Sequence, residues 1–286
     1  MTSRIMLVLL VVAMAALALS GCDDASGPSS TLPSITATAT LDRANAAIIL
    51  PLDAYGMSPD EEATVRAAQQ IVFARCVTDS DALGETTRDV AQKELNYRPE
   101  ANHWLLGYWD ADYMAQHGAI PVNNDVPLGG DLEIDPVKMM ECTSTDDFNA
   151  LQTIDRSAAT DDAVPQKLMR YSLEASDKTI ADPRFQELRA ERDTCLTGAG
   201  YTIDQDSELT GVELRDDWSS EEMLKAQLAE AQCADSLDFI QQAANIRATY
   251  EQQAIDAHEA ELVTIRQLAV ERVARASAIL TEAGIV

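Results

Sequence analysis

The chain contains three histidines, and their spacing does not suit a metal site. His103, His117 and His258 are far apart in the sequence, whereas a His-Glu-x-x-His site needs two histidines one helical turn apart. The sequence also lacks a Gly-x-Ser-x-Gly elbow, a glycine-rich phosphate loop and a Cys-x-x-Cys-His haem site. We therefore expect no catalytic residue, no metal and no cofactor.

Carboxylates could perform acid–base chemistry, but their abundance makes the pattern uninformative. The chain has 48 acidic residues, so accidental pairs are common, and only a measured separation inside a cleft would identify a glycosidase pair. Residues 204–215 begin like a calcium loop, yet Leu209 stands where an EF-hand needs glycine and Arg215 where it needs a bidentate glutamate. We interpret these residues as a polar connector.

A second acidic segment alternates acids along an extended stretch. Asp131, Glu133 and Asp135 would share one face if residues 130–135 were extended. An exposed edge is favoured over a weak cation site, which stays an alternative.

An aromatic cluster follows in the first half of the chain. Trp104, Tyr108, Trp109 and Tyr113 lie close together in a chain that is only 5% aromatic. Such residues either form a platform for a small ligand or fill a core, since each buries a large apolar area. The core interpretation is favoured, and the platform stays a candidate binding site.

The N-terminus carries an export signal. Arg4 precedes an uncharged run of fifteen residues, 5–19, which has the length of a signal-peptide core and is shorter than the ~20 residues of a membrane span. The run ends in Leu19-Ser20-Gly21-Cys22. This tetrapeptide resembles the lipobox of bacterial lipoproteins, which implies lipidation of Cys22 and anchoring on the extracytoplasmic face of the cell membrane.

Four further cysteines remain after Cys22. An even number of cysteines in an exported chain indicates disulfides. Three pairings are possible, and chain order and local context favour Cys76 with Cys142 and Cys195 with Cys233. No Cys-x-x-Cys pair is present, which argues against a redox centre or a structural zinc site.

The net charge limits the partners. Loss of the signal peptide removes the positive charge of Arg4 and no acid, so the formal charge changes from −27 to −28. A chain this acidic repels phosphate backbones, so nucleic acid is not an expected partner.

Local signals predict a mainly α, disulfide-linked fold with few or no short strands. Ser58 with Glu61 and Ser219 with Glu222 form capping boxes, and the pair Asp182-Pro183 begins another helix. Residues 22–45 are rich in small and polar residues and are predicted to be a flexible tether after Cys22. The predicted helical domain is 46–286, with an N-terminal half at 46–181 and a C-terminal half at 182–286.

The C-terminal half contains the longest predicted element. Neither glycine nor proline occurs between residues 219 and 283, so this stretch is predicted to be one long helix or a helical hairpin, with any bend in the polar residues 241–253. Its last third has apolar residues at spacings of three and four, as in a coiled coil, which requires a partner. They are Leu262, Ile265, Ala269, Val273, Ala276 and Leu280.

Several segments resemble an uncharacterised group of secreted actinobacterial lipoproteins. The resemblance covers roughly residues 46–262 and implies an exported protein with two disulfides, without any catalytic residue to carry over. Val77 and Leu196 depart from the group, which favours methionine after the first and third paired cysteines. The matching segments are Leu50-Pro51-Leu52-Asp53-Ala54-Tyr55, Gly107-Tyr108-Trp109-Asp110, His117-Gly118-Ala119-Ile120-Pro121, Cys195-Leu196 with Ala199-Gly200-Tyr201, and Cys233.

These observations lead to two functional hypotheses, and an enzyme, which a deep cleft with converging polar groups would indicate, ranks third. The first is a non-enzymatic accessory protein, anchored in the cell membrane through a lipid such as palmitate, that uses its long helix to contact another envelope protein. The second is a lipoprotein that binds a small ligand or a cation.

Overall fold

A computed structural model confirms the mainly helical fold. It describes residues 32–96, 106, 109–117, 128–129, 134–152, 164–204, 211–213, 215 and 217–286. Across these residues the helices are α1 Pro59–Thr78, α2 Glu85–Asn96, α3 Ala111–His117, α4 Pro136–Thr143, α5 Asp146–Asn149, α6 Val164–Ala181, α7 Pro183–Gly198, α8 Ser220–Ser236 and α9 Phe239–Glu282.

Strand structure is limited to a short hairpin near the start of the described chain. Strand β1 Thr40–Asp42 pairs antiparallel with β2 Ala47–Ile49, with Thr40 opposite Ile49. A 3₁₀ helix, Pro51–Tyr55, follows directly. The hairpin places Ile48 and Leu50 in the largest apolar cluster of the described residues.

The predicted helix starts are confirmed. In α1 the Ser58 hydroxyl accepts from the Glu61 amide at 3.3 Å, and the Glu61 carboxylate accepts from the Ser58 amide at 2.8 Å. Ser219 and Glu222 make the same reciprocal pair at the start of α8, at 3.3 and 2.8 Å. Each box satisfies two amides that would otherwise have no partner in the first turn.

Residues 219–283 form two helices, and the predicted place of the bend was wrong. The chain breaks at Leu237 and Asp238, where Asp238 has a left-handed φ of 50°, a conformation that aspartate tolerates better than most residues. Residues 241–253 are helical throughout. A second irregularity lies at His258 inside α9, with φ −133° and ψ 22°.

Both predicted disulfides are confirmed. Cys76 at the end of α1 bonds Cys142 in α4, with a Cα–Cα distance of 5.6 Å. Cys195 in α7 bonds Cys233 in α8, with a Cα–Cα distance of 5.9 Å. Each bond therefore joins two helices within one half of the chain.

The apolar seam of α9 packs inside the molecule rather than in a coiled coil. Helix α1 runs parallel to the end of α9, because Glu61 pairs with Arg266 at 2.8 Å and Arg75 pairs with Glu282 at 3.2 Å. The buried seam residues contact α1, α6 and the 3₁₀ helix, and Val273 packs against them half-buried. Those fully buried are Leu262, Ile265, Ala269, Ala276 and Leu280.

Part of the predicted tether belongs to the folded unit. Residues 33–45 were assigned to it, but residues 33–286 form one compact unit. Ala39 is only 3% exposed, and residues 40–42 form β1. The prediction failed because small alanines bury little surface by themselves, whereas here the backbone of the segment finds hydrogen-bond partners on α9. Residues 22–31 lie outside the described part of the chain.

Candidate functional site

The most specific contacts in the described structure hold the segment 33–39, which we call the strap. Gln241, Asn245 and Thr249 are spaced by four residues and therefore lie on one face of α9. The Asn245 side-chain oxygen accepts the Ala39 amide at 2.9 Å, and Gln241 donates to the Ala39 carbonyl at 3.0 Å. The Thr249 hydroxyl accepts the Thr36 amide at 3.3 Å.

These contacts explain the polar composition of residues 241–253. Gln241 also donates to Asn245 at 2.9 Å, so the two side-chain amides bind each other as well as the strap. All bonds to the strap involve its backbone, and the inward side chains are the small Ala37 and Ala39. This face of α9 therefore recognises an extended chain with small side chains.

A buried aspartate orients the arginine that binds the first residue of the strap. Arg184 donates to the Pro33 carbonyl at 3.0 Å and pairs with Asp182 at 2.6 Å. Tyr250 donates to the same carboxylate at 2.9 Å. Burial raises the pKa of Asp182, but the bonds from Arg184 and Tyr250 outweigh it and lower that pKa. Asp182 thus stays ionised and orients Arg184 toward the strap.

A second polar network lies deeper, where α9 meets α6 and the 3₁₀ helix. Arg247 pairs with Glu251 at 2.9 Å, and their side chains are 5% and 1% exposed. Glu251 accepts the Leu52 amide at 3.0 Å, and Arg247 donates to the Ser172 hydroxyl at 2.8 Å. Burial raises the pKa of Glu251, and Arg247 partly offsets this. Because every charge has a partner, the network orders the helices.

The irregular turn of α9 brings together the side chains that most resemble a catalytic group. His258 stacks on Tyr171 with 4.3 Å between ring centroids. Tyr171 donates to Glu261 at 2.7 Å, and Lys167 pairs with Glu261 at 3.0 Å. The pKa of Tyr171 is raised by burial and by this bond. The hydroxyl proton is therefore held by Glu261, so the tyrosine is a poor nucleophile here.

The aromatic cluster does not form an open platform where it is described. Trp109 is 2% exposed and belongs to the largest apolar cluster. The Arg43 guanidinium lies 5.5 Å from the centre of its ring. Tyr113 is half-buried in α3, where its amide donates to Asp110 at 2.7 Å. Trp104 and Tyr108 lie outside the described residues.

Cys22, His103, Asp131 and Glu133 lie outside the described residues, and His117 ends α3. Among the residues that the structure describes, no three His, Cys, Asp or Glu side chains are grouped to hold a metal ion. No helix in the same part of the chain combines the length and apolar character needed to cross a membrane.

Comparisons with protein-family models, with curated proteins and with solved structures found no significant match. Sequence reasoning missed the strap, although the spacing of Gln241, Asn245 and Thr249 was a usable signal, because three polar residues at helical spacing in a helix with buried neighbours need partners.

Proposed function

We propose that the protein is a lipoprotein anchored to the extracytoplasmic face of the cell membrane through Cys22, where it acts as a non-enzymatic accessory protein. The observation that carries the proposal is the sequence Leu19-Ser20-Gly21-Cys22 after an apolar run of fifteen residues. Two disulfides support it, because such bonds persist in oxidising compartments. The resemblance to secreted actinobacterial lipoproteins supports the same location.

The partner surface proposed from the long helix needs revision. The seam of α9 is buried in its own chain, so a partner would contact outward-facing side chains instead. Helices α6 and α9 pack together and expose large apolar residues, which stabilise interfaces when a partner covers them. A charge of about −28 favours a partner with a basic surface. The exposed apolar residues are Met169, Leu173, Val263, Leu268 and Val270.

The alternative, a lipoprotein that binds a small ligand or a cation, has less support. Trp109 lies in the core, and this leaves the proposed platform without one of its four rings. A thermal-shift screen against sugars, peptides and divalent cations tests it, since a ligand at 100 times its dissociation constant stabilises a protein by about 2.7 kcal/mol.

Replacement of the lipidated cysteine tests the anchor. Cys22→Ser should move the protein from the membrane fraction to the soluble fraction, because two acyl chains are needed for stable attachment. Mass spectrometry of the wild-type N-terminus should detect a diacylglyceryl group on Cys22. Ser26→Ala is the matched control in the same segment and should leave the protein in the membrane. A wild-type Cys22 without a lipid would refute the anchor.

Surface variants test the partner. Met169→Glu with Leu173→Glu should reduce recovery of cross-linked membrane proteins, because the charges disrupt an apolar contact. Met139→Glu on α4 is the control, since it is exposed at another helix. Recovery of the same proteins with all variants would exclude this surface. Deletion of residues 240–286 is unsuitable, because it removes most of α9, which contributes residues to three apolar clusters.

A further inference from the structure

From the strap contacts, we infer which end of the molecule faces the lipid surface. The end formed by the strap, the hairpin and the start of α9 faces the membrane, and the end formed by the Cys76–Cys142 disulfide and the C-terminus of α9 points away from it. This inference rests on the proposed lipidation of Cys22.

The first step is the point at which the chain becomes fixed. Side chains of two helices, α7 and α9, hold the strap: Arg184 binds the Pro33 carbonyl at 3.0 Å, Thr249 the Thr36 amide at 3.3 Å, and Asn245 the Ala39 amide at 2.9 Å. The strap then continues into β1, which is paired with β2. Among the described residues, Pro33 is therefore the first that the folded unit holds.

The second step is the reach of the anchor. Pro33 follows Cys22 by eleven residues, and eleven residues span at most about 38 Å whatever their conformation. If the flexible tether extended to residue 45, as predicted from the sequence, its maximum span would be about twice that distance. Docking of the strap therefore keeps one defined point of the domain within about 38 Å of the lipid.

The strap lies near the start of α9, far from the other end of this helix. The strap contacts α9 between Gln241 and Thr249, whereas Arg75 of α1 contacts Glu282 at the other end. Asn245 and Glu282 are separated by about 55 Å along the helix path at 1.5 Å per residue. The disulfide at Cys76 lies next to Arg75, so it belongs to the distant end.

The charge of the domain and its exposed apolar side chains act at the lipid surface. An acidic domain is repelled by a membrane surface that carries anionic lipids. Apolar side chains are the ones that gain from contact with the interface. Ile35 in the strap and Ile49 in β2 are 48% and 49% exposed. These two isoleucines offer the strap end an apolar contact with the interface; Val137, Met140 and Val286 are also exposed, at the other end, so the orientation follows from the reach of the anchor.

Energy transfer on vesicles tests this orientation. Cys22 is the one cysteine of five outside the two disulfides, so the mature chain can be coupled through it to a maleimide lipid in phosphatidylcholine–phosphatidylglycerol vesicles. A genetically encoded donor is placed at Gln242 or at Ala278, both exposed on α9. Transfer to a lipid-bound acceptor should be several-fold stronger from position 242.

Variants of α9 test whether the strap causes the difference between the two donor positions. Combined Gln241→Ala, Asn245→Ala and Thr249→Val substitutions release the strap and should reduce the difference between the two donors, whereas Gln253→Ala should preserve it. Equal transfer from both positions in the unaltered chain, or stronger transfer from Ala278, would overturn the inference. Because the coupling is chemical, this outcome is independent of whether cells acylate Cys22, which mass spectrometry decides separately.

Discussion

The side chain of Asn245 accepts the backbone amide of Ala39 at 2.9 Å, although the two residues are 206 positions apart in the sequence. The bond ties the start of the folded chain to a helix near its end. Gln241 completes the pairing by donating to the Ala39 carbonyl. Both polar groups of the Ala39 backbone are thereby satisfied by one helix face, which is how a neighbouring strand would satisfy them.

Removal of the Asn245 side-chain amide should loosen the strap. Asn245→Ala leaves the Ala39 amide of a 3%-exposed residue without its acceptor, which costs about 1–3 kcal/mol of unfolding free energy. Urea denaturation measures the loss, and faster hydrogen exchange at Ala39 locates it. Gln253→Ala, on the exposed side of α9, should change stability by less than about 0.5 kcal/mol. Unchanged exchange at Ala39 would contradict the role of Asn245.

Each disulfide should stabilise the fold substantially. The bonds enclose sequence separations of 66 and 38 residues, for which the loop-entropy model gives about 4 kcal/mol each. The Cys76→Ser/Cys142→Ser and Cys195→Ser/Cys233→Ser variants should show these losses in chemical denaturation. Mapping of non-reduced peptides provides the independent check, and a peptide that joined Cys76 to Cys233 would contradict the structure.

The ion pair between Glu61 and Arg266 should make stability depend on acid pH. The Arg266 guanidinium lowers the pKa of Glu61 from 4.5 to about 2. The stabilisation is therefore complete above pH 4.5 and disappears as the pH falls through about 2. Because both side chains are partly exposed, at 23% and 35%, solvent screening reduces the effect to about 1 kcal/mol.

Comparison of the wild type with Glu61→Gln across this pH range measures the contribution. The stability difference should be present at pH 7 and should approach zero near pH 2. Arg266→Gln should show the same pH dependence. The double variant should lose no more unfolding free energy than either single variant, because each of them removes the same interaction. A difference that persisted unchanged at low pH would assign the effect to helix capping by Glu61 instead.

The buried pair of Arg247 and Glu251 should be far more sensitive to the loss of one partner than to the loss of both charges. Arg247→Met leaves a buried carboxylate unpaired, which costs about 3–5 kcal/mol. Adding Glu251→Gln removes that charge and keeps an acceptor for the Leu52 amide, so the double variant should be more stable than Arg247→Met. Thermal and urea unfolding of the three proteins distinguish these outcomes.

An exposed ion pair of the same spacing provides the control. Lys225 and Glu221 are also four residues apart, but their side chains are 64% and 78% exposed. Lys225→Met should therefore leave stability almost unchanged. If Lys225→Met lowered the unfolding free energy as much as Arg247→Met does, burial would not be the cause of the large loss in Arg247→Met.

The features that could be predicted from the sequence are those with a local cause. The capping boxes at Ser58 and Ser219 need only four consecutive residues, and both helices begin there. The disulfide pairs join cysteines within each half of the chain, so the order of the cysteines was sufficient.

The features that were missed depend on residues distant in sequence. The break at Asp238 has no glycine or proline to mark it, because an aspartate adopts the left-handed conformation. The order of the strap depends on Gln241, Asn245 and Thr249, some 200 residues away, and no property of the alanine-rich segment itself indicates them. The α9 seam packs against α1, α6 and the 3₁₀ helix of the same chain, whereas periodicity alone shows only that some partner is needed.

Helix α9 also determines how the protein unfolds. Its 44 residues contribute to three separate apolar clusters, which contain Phe239, Leu262 and Leu280 respectively. A helix that is common to several clusters cannot melt in one of them without exposing apolar surface in the others, so their stabilities are coupled. The folded unit should consequently lose its structure in one cooperative transition, with equal calorimetric and van't Hoff enthalpies.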